Sequence, residues 1–297
     1  MIYVIFTSSF CARLNSVVPN PVNADLHSHS TISDGLLSPT DITRRAAELG
    51  VELYALTDHD DVRGLPEAAA EAARLGIRFV NGVEISVTWE NSTLHILGLN
   101  IDPENAPLLA GLAAVRAGRS HRALQMADDL ARAGIKGSLE GADKYVTNKE
   151  MVGRSHFARF LVESGAASDV KSAFRHYLVK GKPGYVPHQW ASLADTVGWI
   201  RSAGGVAIIA HPGRYKIGAT PMRRLLTEFK ELGGEGLEVV TGNHTPDQVR
   251  HYAGLAKNFG LAGSRGSDYH GPGESYTLPG KLPPLPAGVR AVWEMWE

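Results

Sequence analysis

The sequence predicts an α/β fold, a barrel of seven strands interrupted by a helical subdomain. Three observations lead there. Short apolar runs recur along the chain, each followed by a polar turn, an Ala-rich segment of helical character and a glycine. Proline and capping residues stand where the helices should begin. Residues 103–187 break this rhythm with Ala-, Arg- and Leu-rich stretches and no convincing strand.

The expected strands, in order, are Val22–His27, Val51–Thr57, Ile77–Val83, Leu94–Ile101, Val206–His211, Leu237–Thr241 and Leu261–Ser264. None alternates cleanly between apolar and polar, as befits strands buried on both faces. Ser38-Pro39-Thr40-Asp41 offers an N-cap serine, a proline in the first turn and an acid at the third helical position. Thr245-Pro246-Asp247-Gln248 repeats the device as a capping box, and Thr220-Pro221 opens another helix. Gly50, Gly76, Gly204, Gly233 and Gly260 each precede an apolar run and suit the left-handed residue that ends a helix. Strand–helix alternation at this spacing implies right-handed βαβ units and a parallel sheet. Seven strands in series favour a closed barrel over an open sheet. In the interruption, helix is expected near Leu108–Ala133, Ser155–Ser164 and Ser168–Leu178. The barrel is thus assigned to residues 23–102 and 188–285 and the insertion to 103–187. Residues 1–22 form an N-terminal extension, and 286–297 an extended C-terminal tail.

The apolar fraction of the 297 residues, 43%, is that of an ordinary globular chain. A net charge of −1 gives no global field toward nucleic acid or anionic membrane, so no long nucleic-acid track is expected. Any phosphate must meet locally placed Arg and Lys. No run of 18 apolar residues is present, and no membrane span is expected. The first ten residues are apolar, yet no basic region precedes them and no clean small-x-small site follows, so a loose arm or an over-long start is expected rather than an export signal. The single cysteine, Cys11, cannot form an internal disulfide, which favours a cytoplasmic setting. No obligate protein partner is evident.

Imidazoles and carboxylates gather at or just after the strand ends. Asp25-Leu26-His27-Ser28-His29 closes the first strand, Asp34 follows in the loop, and Thr57-Asp58-His59-Asp60 closes the second. Gly82-Val83-Glu84, His95, Ala210-His211-Pro212 and Ser267-Asp268-Tyr269-His270 complete the series. Alternate residues of a strand point the same way, so the His27–His29 pair presents two imidazoles to one ion. Each motif alone has a plainer reading: a surface pair, a capping acid, a hydrogen-bonded core histidine at His95. Their shared placement on the rim where barrel enzymes carry their sites points to a metal-dependent hydrolase. The nine candidate ligands are His27, His29, Asp34, His59, Glu84, His95, His211, Asp268 and His270. One catalytic ion takes about three protein ligands, so two or three ions are implied, with Glu84 the natural bridge. Imidazole and carboxylate without thiolate suit zinc, manganese or iron.

This order of motifs resembles the PHP family, named for polymerase and histidinol phosphatase, over roughly Asn23 to Pro272. More narrowly it resembles the TrpH/YciV branch, on four cues. These are Ser33-Asp34-Gly35 after the first motif, Gly153-Arg154-Ser155-His156-Phe157-Ala158, Gly181-Lys182-Pro183-Gly184-Tyr185-Val186-Pro187, and His211-Pro212-Gly213-Arg214-Tyr215. The resemblance implies a distorted (β/α)7 barrel with up to three metals, manganese foremost. One ion would take His27, His29, Glu84 and Asp268. A second would share Glu84 with His95 and His211, and a third would take Asp34, His59 and His270. The chain departs from the pattern only in its N-terminal extension and in Arg265 before Gly266-Ser267-Asp268.

The branch implies a phosphoesterase removing the 3′-phosphate of nucleoside 3′,5′-bisphosphates such as adenosine 3′,5′-bisphosphate, by direct attack of a metal-bridging hydroxide. The expected ligand is therefore a small nucleotide or a short RNA. Alternatives are a 5′-3′ exoribonuclease on short 5′-phosphorylated RNA and a histidinol-phosphate phosphatase. The basic residues weigh against the latter's cationic substrate. Arg154, Arg214, His211 and Asp268 are expected to carry catalysis. Arg154 and Arg214 should bind phosphate through paired hydrogen bonds. Asn243, Lys182 and Tyr185 are further substrate contacts, Tyr185 by stacking. Asp58 and Asp60 should orient ligands rather than bind metal.

Overall fold

The computed structural model describes residues 22–275 and 277–296, so Cys11 and nearly all of the N-terminal extension lie outside the described residues. Seven strands appear, in the order β1 (Ala24–Asp25), β2 (Leu53–Leu56), β3 (Arg78–Trp89), β4 (Ser92–Leu99), β5 (Val206–Ile209), β6 (Gly236–Thr241) and β7 (Ala262–Gly266). Helices α1 (Pro39–Glu48) and α2 (Leu65–Leu75) join the first three strands. Between β4 and β5 come α3 (Ala106–Arg132), α4 (Ser138–Asp143), α5 (Arg154–Glu163), α6 (Val170–Ala173) and α7 (Leu193–Ser202). Helices α8 (Ala219–Glu231) and α9 (Pro246–Phe259) precede β6 and β7. No helix among the described residues is long and apolar enough to cross a membrane.

The helix starts follow the capping chemistry. The Asp41 N–H donates to Ser38 Oγ at 3.1 Å, and Thr245 and Gln248 exchange reciprocal bonds of 2.9 and 3.3 Å. Gly76 and Gly260 end α2 and α9 at φ 71° and 62°. The sheet closes between its first and last strands. Leu26 N–H donates to Arg265 O at 3.0 Å, Asp268 N–H to His27 O at 2.8 Å, and His29 N–H to Tyr269 O at 2.9 Å. A Cβ on Gly266 would lie 2.3 Å from Cβ of His27, so only glycine lets the two strands meet.

The all-parallel expectation is corrected at one strand. β4 pairs antiparallel with both β3 and β5, while the other pairs are parallel. β3 runs on to Trp89, well past the expected Val83, and only Glu90 and Asn91 separate it from β4. Two residues make a hairpin but cannot make a crossover to a parallel neighbour. Glu90 supplies the turn by taking φ 50° without being glycine.

Side-chain alternation sorts each strand. Val83, Ile85 and Val87 of β3 pack outward in a core shared with the surrounding helices. Inside lie Leu26, Val80, Leu97, Leu99, Ile208 and Ala210, all buried. The C-terminal segment is not the free extended tail expected. Ala291 bridges to Gly263, and Val292 and Trp293 are buried with the inner core.

Helices α3 to α6 have a hydrophobic core of their own, including Met126, Leu130, Phe157 and Leu161. Polar ties join them to the barrel. Asp60 accepts from Ser86 N–H at 2.7 Å and is clasped by the Arg119 guanidinium, while Arg116 donates to Asp60 O at 2.8 Å. Asp60 holds φ 47°, a left-handed conformation rare outside glycine that these bonds over-determine.

Candidate metal centre

All nine predicted ligands converge on one end of the barrel. Their donor atoms form four overlapping groups, each within 4.8 Å: His27, His29 and Asp268; His27, Glu84 and His211; His59, Glu84 and His95; and His29, Asp34, His59 and His270. Period-two alternation brings in the donors that lie within strands, and the turns at the strand ends bring in the rest. Glu84 shares the inner face of β3 with Val80, and His211 and Asp268 follow the ends of β5 and β7. His95 lies near the start of β4, not its end. Because β4 runs antiparallel, its start is the end that reaches the rim.

Glu84 sits at the middle. Its Oε1 lies 2.8 Å from His95 Nδ1 and 2.9 Å from His211 Nε2, and its Oε2 lies 3.0 Å from His59 Nδ1 and 3.2 Å from His29 Nε2. His211 and Asp268 adopt φ 24° and 55°, so both donors stand on strained backbone.

Several of these groups are buried without a hydrogen-bond partner: His29 Nδ1, Asp34 Oδ1, His211 Nδ1 and Asp268 Oδ1. Buried polar atoms are otherwise almost always bonded. The ring nitrogens of His27 and His29 even face each other at 3.2 Å. Donors aimed at a common point and left unbonded fit a divalent cation set of nitrogen and oxygen ligands. Charge tells the same story. Burial opposes a proton on His29, yet Asp268 and Glu84 push its pKa up to about 10. Against the cost of burial, Arg214 and His27 hold the Asp268 carboxyl well below its usual range. Burial, aided by Arg214, pulls His211 down to about 3, so it offers a free lone pair. A surplus of carboxylate thus calls for positive charge.

Outer residues hold the donors. Asp58 accepts from Ser30 N–H at 2.8 Å, Ser30 Oγ at 2.6 Å and Ser33 Oγ at 2.5 Å, which fixes the loop carrying Asp34. Asp25 ties Ser267 N–H at 2.8 Å and Gly280 N–H at 2.7 Å. Ser155 donates to Asp34 Oδ2 at 2.7 Å from the first turn of α5, and Arg159 donates to Asp34 O at 2.6 Å while pairing with Glu274. Glu238 was not singled out in the sequence. Its Oε1 lies 3.0 Å from His27 Nδ1, and its Oε2 accepts the His211 N–H at 2.6 Å. A lone acid inside the apolar run Leu237–Val240 was the available signal, since a buried carboxylate requires partners.

Beside the donors lies a narrow cleft of about 90 Å³ between barrel and insertion, lined by Asp34, His59, His95, Arg119, Arg122, Arg154 and Tyr185 among others. Arg119 is neutralised by Asp60, and Trp190 lies 4.9 and 5.4 Å from the Arg119 and Arg122 guanidinium carbons. Neither Arg122 nor Arg154 has a carboxylate partner among the described residues. Burial and the neighbouring charges of Arg154 and Arg119 drag Arg122 down to about 9. Since guanidinium stays protonated, that direction reports uncompensated positive charge awaiting an anion.

The remaining predicted contacts, and the neighbouring motif residues Arg265, Tyr215 and Tyr269, divide. Arg214 pairs with Asp268, and with Asn243 it lines a separate groove. Lys182 is exposed and lines neither cleft nor groove, because its loop turns outward beyond the buried Leu178. Arg265 is structural: it donates to Pro283 O at 2.8 Å and to Asn23 Oδ1 at 2.9 Å, away from the donors. Tyr215 braces the rim by donating to Ala210 O at 2.8 Å, and Tyr269 is buried.

Residues 25–232 match the PHP domain model. The chain belongs to the PHP-domain family. This PHP chain is 52% identical over 275 residues to a 3′,5′-nucleoside bisphosphate phosphatase of Chromobacterium violaceum, covering 93% of this chain and 96% of that protein. It is 43% identical to the 5′-3′ exoribonuclease Rnm of Escherichia coli, with 92% and 93% covered. Among solved structures it resembles an amidohydrolase from Chromobacterium violaceum with bound sulfate and no metal, at TM-score 0.89 and 52% identity, covering 92% and 95%. A Bifidobacterium adolescentis protein described as a metal-dependent phosphoesterase superposes at TM-score 0.78 with 28% identity, covering 86% and 90%.

Proposed function

We propose that this PHP protein is a metal-dependent phosphoric monoester hydrolase that removes the 3′-phosphate of nucleoside 3′,5′-bisphosphates. The observation that carries the reading is the adjacency of a cation-seeking donor cluster and an anion-seeking cleft. The donor cluster lies against a cleft whose Arg122 and Arg154 have no carboxylate partner. A bisphosphate has two phosphates to place, one toward ions held by the donors and one on the arginines. The likeness to the Chromobacterium violaceum phosphatase supports the same substrate class.

Two or three divalent ions, manganese foremost, would be held by the nine donors, with Glu84 shared. When bound, such ions supply a nucleophile from water and neutralise phosphoryl charge. The chain's own groups do the rest. Arg154 and Arg122 bind the distal phosphate, Arg214 stands beside Asp268 to meet the reacting one, and His211 stays neutral. Tyr185 offers a ring at the cleft. Phosphoryl transfer needs chiefly this positioning and charge neutralisation. The lone cysteine, which can form no internal disulfide, supports a cytoplasmic setting. A histidinol-phosphate phosphatase fits poorly, because a cationic alcohol would face Arg119, Arg122 and Arg154.

The test is phosphate release by manganese-loaded protein from adenosine 3′,5′-bisphosphate, beside histidinol phosphate and 5′-phosphorylated oligoribonucleotides, with Asp268→Ala as control. Turnover of the bisphosphate, lost in the variant, is expected. Turnover of histidinol phosphate alone would overturn the reading. Activity on the oligonucleotides alone would make the protein a nuclease, the second reading favoured by the Rnm likeness.

A further inference from the structure

Arg214 is an exposed guanidinium carried by a short turn, Pro212–Arg214, that opens on the strained backbone of His211. Its ion pair with Asp268 sets it at the edge of the donor cluster. The turn's own hydrogen bonds run from Arg214 N–H to His211 O at 3.0 Å and from Tyr215 N–H to Pro212 O at 3.3 Å. The N–H and C=O of Gly213 are left to be met from outside. Strained backbone persists only where its surroundings over-determine it.

Both groups are met by the segment that follows β6. His244 Nε2 accepts the Gly213 N–H at 3.1 Å, and the Gln248 side-chain amide donates to Gly213 O at 3.4 Å. The His244 ring is itself fixed. Its Nδ1 faces Val239 O at 3.0 Å, and its plane stacks on Tyr252 with ring centroids 4.9 Å apart. A carbonyl oxygen only accepts, so Nδ1 carries the proton and Nε2 keeps the lone pair that Gly213 needs. Burial draws the ring's pKa down, which keeps that lone pair free at neutral pH. The fit is close. A Cβ on Gly213 would lie 2.7 Å from His244 Cδ2 and 2.8 Å from the Gln248 amide nitrogen.

We propose that His244 and Gln248 are positioning residues, which clamp Gly213 so that Arg214 points at the reacting phosphoryl group. The inference rests on the phosphoesterase reading above, in which Arg214 meets that group. Glu238 grips the start of the same turn through the His211 N–H at 2.6 Å. The strand and its loop thus divide the task. Glu238 serves a metal donor, and His244 with Gln248 serves the guanidinium.

The test compares full-length variants with the wild type, loaded with manganese and given adenosine 3′,5′-bisphosphate and a 5′-phosphorylated oligoribonucleotide. His244→Phe keeps a ring for Tyr252 but cannot accept the Gly213 N–H, and His244→Gln restores an acceptor. Gln248→Glu keeps the oxygen that caps α9 and removes the amide donor, so it tests the clamp should His244→Phe not fold. On whichever ester the wild type hydrolyses, kcat should fall about tenfold in His244→Phe, within the loss that a displacement of about 1 Å can cause. It should largely recover in His244→Gln and fall in Gln248→Glu. KM should stay within about twofold, since Arg122 and Arg154 still hold the distal phosphate. Manganese affinity by calorimetry should be unchanged. Adding His244→Phe to Arg214→Ala should slow the enzyme no further, because both act through one contact. In metal-free protein, amide exchange at Gly213 should quicken in His244→Phe and not in His244→Gln.

A loss of manganese affinity matching the loss of kcat would overturn the proposal, because the clamp would then serve His211. So would additive losses in the double variant, or wild-type kcat in His244→Phe. Silence of the wild type on both esters would instead sink the phosphoesterase reading, and the exchange at Gly213 would still decide whether the clamp exists.

Discussion

Glu238→Gln should weaken metal binding without emptying the barrel. Both groups facing this carboxylate are donors, since His27 must keep its Nδ1 proton to offer Nε2 to an ion, and His211 presents its backbone N–H at 2.6 Å. Glutamine has one acceptor oxygen, so one donor would meet an amide N–H in a fully buried place. Losing a hydrogen bond to a charged group costs about 1.5–3 kcal/mol. Mutation of such outer partners typically lowers metal affinity by about 10- to 100-fold, which is about 1.4–2.7 kcal/mol. The two routes agree. Calorimetric titration of manganese into metal-free protein, with chelator competition, would measure the loss, and thermal unfolding of the metal-free variant would measure the fold. Wild-type affinity combined with a lowered Tm would refute the reasoning, because Glu238 would then serve the barrel alone.

Three further outcomes are expected. Arg119→Ala leaves Asp60 buried and unpaired, and should cost about 3–5 kcal/mol in denaturant unfolding; a change under about 1 kcal/mol would show that the tie contributes little. Metal binding should release protons at neutral pH, because Asp268 and Glu84 raise His29 to about 10 against the effect of burial. In metal-free protein that proton stabilises the fold fully below the unfolded histidine pKa of about 6.5, and the contribution is lost as pH rises through about 10. Equal binding enthalpies in buffers of different ionisation heat would contradict this. Arg154→Ala should raise KM for adenosine 3′,5′-bisphosphate by about 10- to 100-fold, the equivalent of one charged hydrogen-bonding contact, while sparing a substrate with a single phosphate; equal losses on both would move Arg154 to the reacting phosphate.

The donor set was legible because its members sit in short contiguous motifs at strand ends, and imidazole beside carboxylate is a pattern that packing alone does not demand. Period two carries Glu84 and His95 inward, in step with Val80 and Leu97, whereas His211 follows the inward Ala210 and reaches the site only through its left-handed backbone. The direction of β4 was less visible. Trp89-Glu90-Asn91-Ser92 has no glycine to announce a hairpin, and its only clue is that two residues cannot carry a crossover. Arg119 and Arg122 were hidden among the many arginines of a long helix, where their common face emerges only once Asp60 and Trp190 arrive from elsewhere. Lys182 shows the reverse case: a basic residue inside a motif stands exposed, lining neither the cleft nor the groove. Chemistry concentrated in one segment can be read in order, whereas chemistry assembled from distant segments needs the fold.

Leu108 and Leu112, at the start of α3, anchor the insertion in the barrel's outer core; beyond them the insertion fills an apolar core of its own and meets the barrel through charged and hydroxyl groups. Such a seam behaves as a latch rather than a weld. Parting it beyond that anchor exposes little oil to water but forfeits directed polar bonds, so salt and denaturant should act on it differently. Amide exchange would then find two cooperative units of unequal lifetime, the smaller opening first. Its opening also frees the loop that carries Asp34, which Ser155 and Arg159 hold from the insertion side, so ligand recognition and ion holding share one hinge of control.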